Sequence, residues 1–278
     1  MNIFITGLGL IGGSLAKAIS IRTNHTVFGA DKNEDTIKKA IECGAIHKSG
    51  TADDLAIADI VIVALYPAAT VRFIKENLAV FKKDAIIVDT CGVKNEVFDG
   101  LRDLLKDKCV NFIGGHPMAG IERSGFDYSF ESLFDGASMI LCPEICKDDT
   151  AVQTLSGFFT SLGFGKITIS TADHHDKVIA FTSQLAHVVS SAYVHGKYAT
   201  EHKGFSAGSF KDMTRVARLN ADMWTELFFE NRENLSVACG ELIENLEKFK
   251  TALDTLNREK MHALLTNGNE RKIQSENL

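Results

Sequence analysis

Hydrophobic and polar positions follow two different rhythms along this chain. Up to about residue 170, short apolar runs at 2–6, 26–31, 59–65, 85–89, 111–115, 137–142 and 166–169 alternate with longer stretches at 12–20, 35–43, 70–80, 94–105 and 149–162. In the longer stretches apolar residues recur every three or four positions, so they predict helices, and the short runs predict strands. The run Ile60-Val61-Ile62-Val63-Ala64-Leu65 is apolar at every position, which suits a sheet covered on both faces by crossover helices. Residues 1–170 are therefore expected to form an α/β domain around a mostly parallel, doubly wound sheet. Pro67, Pro117 and Pro143 each follow an apolar run and are read as marks of strand ends.

No proline occurs after residue 143, which leaves the rest of the chain free for long helices. Ser170-x-x-Asp173 has the form of a capping box. Apolar residues at 178, 181, 185, 188 and 192 then trace one face of a long helix. Leu235, Ala238, Leu242, Leu246, Phe249, Leu253 and Leu256 repeat at spacings of three and four. Such a stripe needs a covering surface, either another helix or a second subunit. Gly268 is expected to end the last helix, with a frayed polar tail beyond it. Residues 171–278 thus read as an all-α domain, and the length of the stripe predicts a homodimer.

Thirty Lys and Arg against 36 Asp and Glu give a net charge of -6, so there is no basic excess of the kind nucleic-acid binders show. No apolar run approaches the ~18 residues that span a bilayer, and the first strand lacks the charged flank and cleavage site of a signal peptide. The six cysteines have no framework spacing, which points to a reduced, cytoplasmic compartment. Nucleic acid and membrane are thereby excluded as expected partners, and small-molecule chemistry is left.

Gly7-Leu8-Gly9-Leu10-Ile11-Gly12 follows the first strand and opens a helix. In this setting the first glycine permits a tight turn, the second lets backbone approach a pyrophosphate, and the third lets helix and strand pack closely. Asp31 stands 19 positions beyond Gly12, at the end of the second strand. Its carboxylate can accept bonds from the ribose hydroxyls and would repel a 2′-phosphate. A Rossmann domain binding NAD rather than NADP is expected, although Lys32 adjoins Asp31. Leu65 and Tyr66, where the third strand ends, complete the expected cofactor set. The alternative is that the glycines serve only a turn and Asp31 only a surface loop.

Ligands of an open parallel sheet bind beyond the carboxyl ends of its strands, where Gly114-Gly115-His116-Pro117-Met118-Ala119-Gly120 lies. On the residues alone His116 is a base or a structural histidine. The pair His174-His175, flanked by Asp173 and Asp176, invites a metal reading. Neighbours on a helix point about 100° apart and chelate poorly. Cys142-x-x-x-Cys146 lacks a second pair, and no metal is expected.

Taken together, GLGLIGGSLAKAI (7–19), VDTCGVK (88–94), GGHPMAGIERSGF (114–126), ADHHDKVIAFTSQLAH (172–187), FKDMTRVA (210–217) and MW (223–224) resemble the prephenate dehydrogenase family, which also contains arogenate dehydrogenases. The HPMAG and DMTRVA segments are the specific ones. The resemblance implies NAD-dependent oxidative decarboxylation of prephenate to 4-hydroxyphenylpyruvate in tyrosine biosynthesis, or the same reaction on arogenate. It places His116 against the substrate hydroxyl and Arg215 on its carboxylate, where a guanidinium can make two bonds. It also places His187, with Ser183 four residues earlier, near the substrate side chain, and Glu122 and Ser124 at the mouth of the site. On the residues alone, Arg215 could instead pair with Asp212 on its own helix. His187 and Ser183 could form a polar seam between domains, and Glu122 and Ser124 could cap a turn.

Two positions depart from the family pattern. Gly92 stands where the family commonly has a serine, so a water, Cys91 or Ser124 would have to supply that hydroxyl's bond. The family's SHLPH is SQLAH here, with Gln184 and Ala186 replacing histidine and proline, which bears on recognition of the substrate side chain. A length of 278 residues is expected to leave no room for the chorismate mutase or ACT domains of some relatives. The competing readings are another dehydrogenase of the same architecture, such as a β-hydroxyacid type, and a non-catalytic NAD-binding regulator, to which only Gly92 lends support.

Overall fold

The computed structural model describes residues 1–106 and 108–277. Its first half contains, in chain order, β1 (Asn2–Thr6), α1 (Leu10–Arg22), β2 (Thr26–Ala30), α2 (Glu34–Glu42), β3 (Lys48–Ser49), α3 (Ala52–Ala56), β4 (Ile60–Val63), α4 (Pro67–Asn77), β5 (Ile86–Asp89), α5 (Asn95–Leu105), β6 (Asn111–Pro117), β7 (Ser138–Cys142), α6 (Asp149–Ser161) and β8 (Lys166–Ile169). The eight strands form one sheet in the order β3-β2-β1-β4-β5-β6-β7-β8. All pairs are parallel except β6 with β7. The chain reverses direction across the sheet between β1 and β4, and that is where a doubly wound sheet opens its binding crevice.

Successive residues of each central strand enter opposite cores, as the pleat requires. Ile3, Ile5, Ile60, Ile62, Val88 and Ile113 join α1 and α6 on one face. Phe4, Val61, Val63, Ile87 and Phe112 join α4 and α5 on the other. The fully apolar runs are explained by this two-sided burial. Short edge elements escaped the pattern: β3 is two residues long and α3 five, too short to show a period. Pro67 opens α4 at its first turn, where a missing N–H costs nothing, rather than closing a strand.

The second half is helical: α7 (Ala172–Ile179), a wide π turn (Ala180–Gln184), α8 (Leu185–Val194), α9 (Gly208–Thr214), α10 (Ala221–Glu230), α11 (Arg232–Asp254) and α12 (Arg258–Glu276). Three expectations are corrected. Thr171, not Ser170, caps α7, accepting the His174 N–H. The buried face of α7 carries His175, Asp176 and Ile179, whereas Val178 and Phe181 are exposed, and the π turn, which adds a residue, buries Gln184. Gly268 lies inside α12 and does not end it. The 235–256 stripe divides: Leu235 and Ala238 pack against Ala180 and Leu185, whereas Leu246, Leu253 and Leu256 are exposed.

Candidate active site

The glycine turn between β1 and α1 has the shape a diphosphate needs. Gly7 has φ 85°, and a Cβ at Gly12 would overlap the Gly7 carbonyl. A Cβ at Gly9 would meet nothing within 4 Å, so its open side is available to a ligand. Gly9 begins α1 without a side-chain cap, leaving first-turn N–H groups for an anion. Asp31 accepts the Leu8 N–H at 2.8 Å and the Asn33 N–H at 2.9 Å. Two backbone bonds thus fix its carboxylate beside the turn, and further lone pairs remain for ribose hydroxyls. The Leu8 side chain is fully buried in the core, so only its backbone can serve this site. Leu10, Ile11 and Leu65 are half-buried, and Tyr66 is exposed. These residues fit a bound dinucleotide.

β6 runs through His116 to Pro117, two residues past the expected end, because it pairs with antiparallel β7, His116 lying opposite Ile140. His116 Nδ1 lies 2.8 Å from His175 Nε2, and His175 Nδ1 lies 2.7 Å from Asp176 Oδ1. The Asp176 carboxylate also accepts the N–H groups of Lys94 and Asn95, each at 2.8 Å. A carboxylate only accepts, so His175 Nδ1 donates to it, leaving Nε2 to accept from His116 Nδ1–H. That assignment follows from the network, and it leaves the lone pair of His116 on Nε2. Burial first, then the neighbouring His175 ring and the Lys94 ammonium, holds the titration of His116 well below the ordinary histidine range. The ring is half-buried rather than sealed, so a neutral acceptor nitrogen can meet a ligand.

Behind this pair lies a second polar group. Lys94 is completely buried and forms an ion pair with Asp89. Its Nζ also donates to the Gly115 carbonyl at 2.6 Å, and the Gly115 N–H donates to Asp89 at 3.0 Å. From the helical side, Asn231 Nδ2 donates to the Asp176 carbonyl and to Gln184 Oε1, and Gln184 Nε2 donates to the Leu227 carbonyl. Gln184 therefore serves the interior of the helical domain. Its bonds explain how histidine can be replaced there without loss of order.

Arg215 follows α9 and lies 3.4 Å from Glu122, with both side chains more than half exposed (68% and 57%). The structure thus joins two expected residues from different domains in place of an Arg215–Asp212 pair. Ser124 is exposed in the same loop as Glu122. His187 stacks on Trp224 at 3.8 Å, and its Nδ1 lies 2.9 Å from the Ser183 carbonyl; Ser183 meets His187 through backbone. A Cβ at Gly92 would touch only Leu227, at 3.6 Å, so the site has space for the hydroxyl this chain lacks. Sequence reasoning missed Asp89, Lys94, His175 and Asp176. Their signal was present in VDTCGVK and in the second half of the DHHD tetrad, where His175 and Asp176 are buried and paired while Asp173 and His174 are exposed.

A half-buried neutral imidazole backed by a carboxylate, on the sheet that carries a dinucleotide cradle, defines a dinucleotide-dependent dehydrogenase with a helical second domain. Residues 15–168 match the prephenate dehydrogenase nucleotide-binding domain, and residues 171–267 match the prephenate dehydrogenase dimerization domain. The chain belongs to the prephenate dehydrogenase family and is an NAD-dependent oxidoreductase. It is 33% identical over 262 residues to a cyclohexadienyl dehydrogenase of Zymomonas mobilis, covering 91% of this chain and 88% of that one. The prephenate dehydrogenase of Aquifex aeolicus, solved with hydroxyphenyl propionate and NAD+, superimposes with a TM-score of 0.86 at 26% identity, over 99% of this chain and 98% of that one. The arogenate dehydrogenase of Synechocystis gives the same score and identity, over 99% of this chain and 100% of that one.

Proposed function

We propose that this chain catalyses the NAD-dependent oxidative decarboxylation of prephenate to 4-hydroxyphenylpyruvate, with His116 as base and Arg215 as carboxylate anchor. NAD, when bound, supplies the hydride acceptor. His116 Nε2 draws off the hydroxyl proton as the carbinol C–H breaks. The ring then takes the electron pair of its bond to the departing carbon dioxide, and the phenolate oxygen recovers a proton. Arg215 holds a substrate carboxylate in place of its long contact with Glu122. His187, Ser183, Glu122, Ser124 and Gly92 line the substrate side, and Gly7, Leu8, Gly9, Leu10, Ile11, Gly12, Asp31, Leu65 and Tyr66 the cofactor side. The observation that carries this reading is the Asp176–His175–His116 chain, which leaves one acceptor nitrogen at a strand end.

The division falls near Ser170, between β8 and α7, giving a NAD-binding domain over 1–170 and a helical substrate and dimerisation domain over 171–278. The exposed leucines of α11 and the dimerization-domain match support a homodimer. The six free thiols suit a reducing cytoplasm. Arogenate is the second reading, favoured by the likeness to the Synechocystis enzyme. Side-by-side kcat/KM for prephenate and arogenate, each with NAD and NADP, tests the activity; turnover of neither substrate would refute it. Light scattering at micromolar concentration should read the mass of two chains.

A further inference from the structure

The turn from β5 to α5 holds a charged group that no step above uses. The Lys94 side chain is fully buried beside Asp89. A buried ion pair gains little stability over apolar residues of the same size, so its placement directly behind the base calls for a positional reason. Asp89 accepts the Gly115 N–H and Lys94 grips the Gly115 carbonyl, which fixes both polar groups of the residue that precedes His116. The same short segment reaches the other end of the chain, because the main-chain N–H groups of Lys94 and Asn95 hold the two oxygens of Asp176.

We propose that Lys94 is a positioning residue for the base: paired with Asp89, it locks the peptide leading into His116 while its own backbone anchors Asp176, so that one turn sets the geometry of the whole His116–His175–Asp176 chain. The proposal rests on the reading of His116 as the base. The groups that bear electrostatically on His116 are His175 from α7 and Lys94 from the β5–α5 turn, with Asp89 and Asp176 as their counter-charges. Loss of the ammonium therefore loosens the chain and makes His116 easier to protonate.

The test compares Lys94→Gln, the charge-free pair Asp89→Asn/Lys94→Met, and His116→Asn. In either Lys94 variant kcat should fall about 10- to 100-fold, while the prephenate KM and the NAD dissociation constant move less than about threefold. In Lys94→Gln the acid limb of kcat/KM should also shift to higher pH. A folded Lys94 variant with wild-type kcat and an unmoved acid limb overturns the proposal. So does a parallel loss of cofactor binding and kcat, or failure of both variants to fold, since each assigns the pair to the stability of the domain alone. Wild-type kcat in His116→Asn would instead refute the base reading, which separates the two failures.

Discussion

The two places where this molecule holds charge against its candidate site are built in opposite ways. At the end of the sheet, Asp89, Lys94, His175 and Asp176 are buried, and each side chain has a hydrogen-bond or ion-pair partner within the fold. At the mouth, Arg215 and Glu122 are exposed and meet only at 3.4 Å. Buried polar groups are strong and rigid when all are paired, whereas an exposed pair of this length contributes about 0–1 kcal/mol. The difference matches two tasks. A base must present its lone pair in one direction before substrate arrives, since reorganisation during the reaction would raise the barrier. An anchoring arginine must stay available to exchange partners.

The largest expected effect breaks the buried side of the comparison. His116→Asn should lower kcat by ~10²–10⁴-fold with little change in KM. In the wild type, burial keeps His116 neutral to below the ordinary histidine range, so the acid limb of kcat/KM should lie below about pH 6.5. A limb at or above that value would show that the imidazole is not held neutral.

The exposed side should respond differently. A substrate carboxylate carries its full charge before the transition state, so Arg215→Ala removes binding more than catalysis. KM should rise roughly 30- to 100-fold, the equivalent of about 2–3 kcal/mol for a charge-assisted pair, with a smaller loss in kcat. An unchanged KM would transfer the anchor to another residue.

Asp31→Ser extends the comparison to the cofactor side. The variant loses a ribose acceptor and a repulsive charge, and one backbone partner of the glycine turn is weakened. The ratio of NAD to NADP efficiency should fall roughly 10-fold, about 1.5 kcal/mol. A wild-type ratio would place the ribose elsewhere.

The smallest effect lies beside the buried group, at a carboxyl that feels the Asp176 charge. Glu230 is half-buried, and its Oε2 has no hydrogen-bond partner among the described residues. Burial, then the charges of Glu96, Glu226 and Asp176, push its carboxyl up to about 7. Stability from the protonated form is complete below the ordinary glutamate range and is lost as pH rises through about 7. Glu230→Gln should therefore match wild type near pH 4.5 and exceed it at pH 8. After solvent screening the gain is about 1 kcal/mol, or roughly 2–4 °C in Tm. Equal melting curves at pH 8 would remove Glu230 from the set of strained groups.

Sequence by itself determined the alternating domain, because Ile3, Phe4 and Ile5, like Ile60 to Val63, must be apolar at every position to be buried on both faces. It also determined the glycine turn, Asp31 and His116, since each depends on local backbone geometry next to a strand end. Only the tertiary structure decided which way the helical domain faces. The apolar period pointed Val178 and Phe181 inward, whereas α7 turns His175 and Asp176 inward to pair with His116 and the backbone of Lys94 and Asn95. A hydrophobic period reports burial of apolar groups and is blind to polar groups buried in pairs. Lys94 and Asp89, and His175 and His116, become partners through contacts between β5, β6 and α7, which no local pattern encodes. The same holds for Leu246, Leu253 and Leu256, whose spacing specifies an apolar stripe but not the surface that covers it.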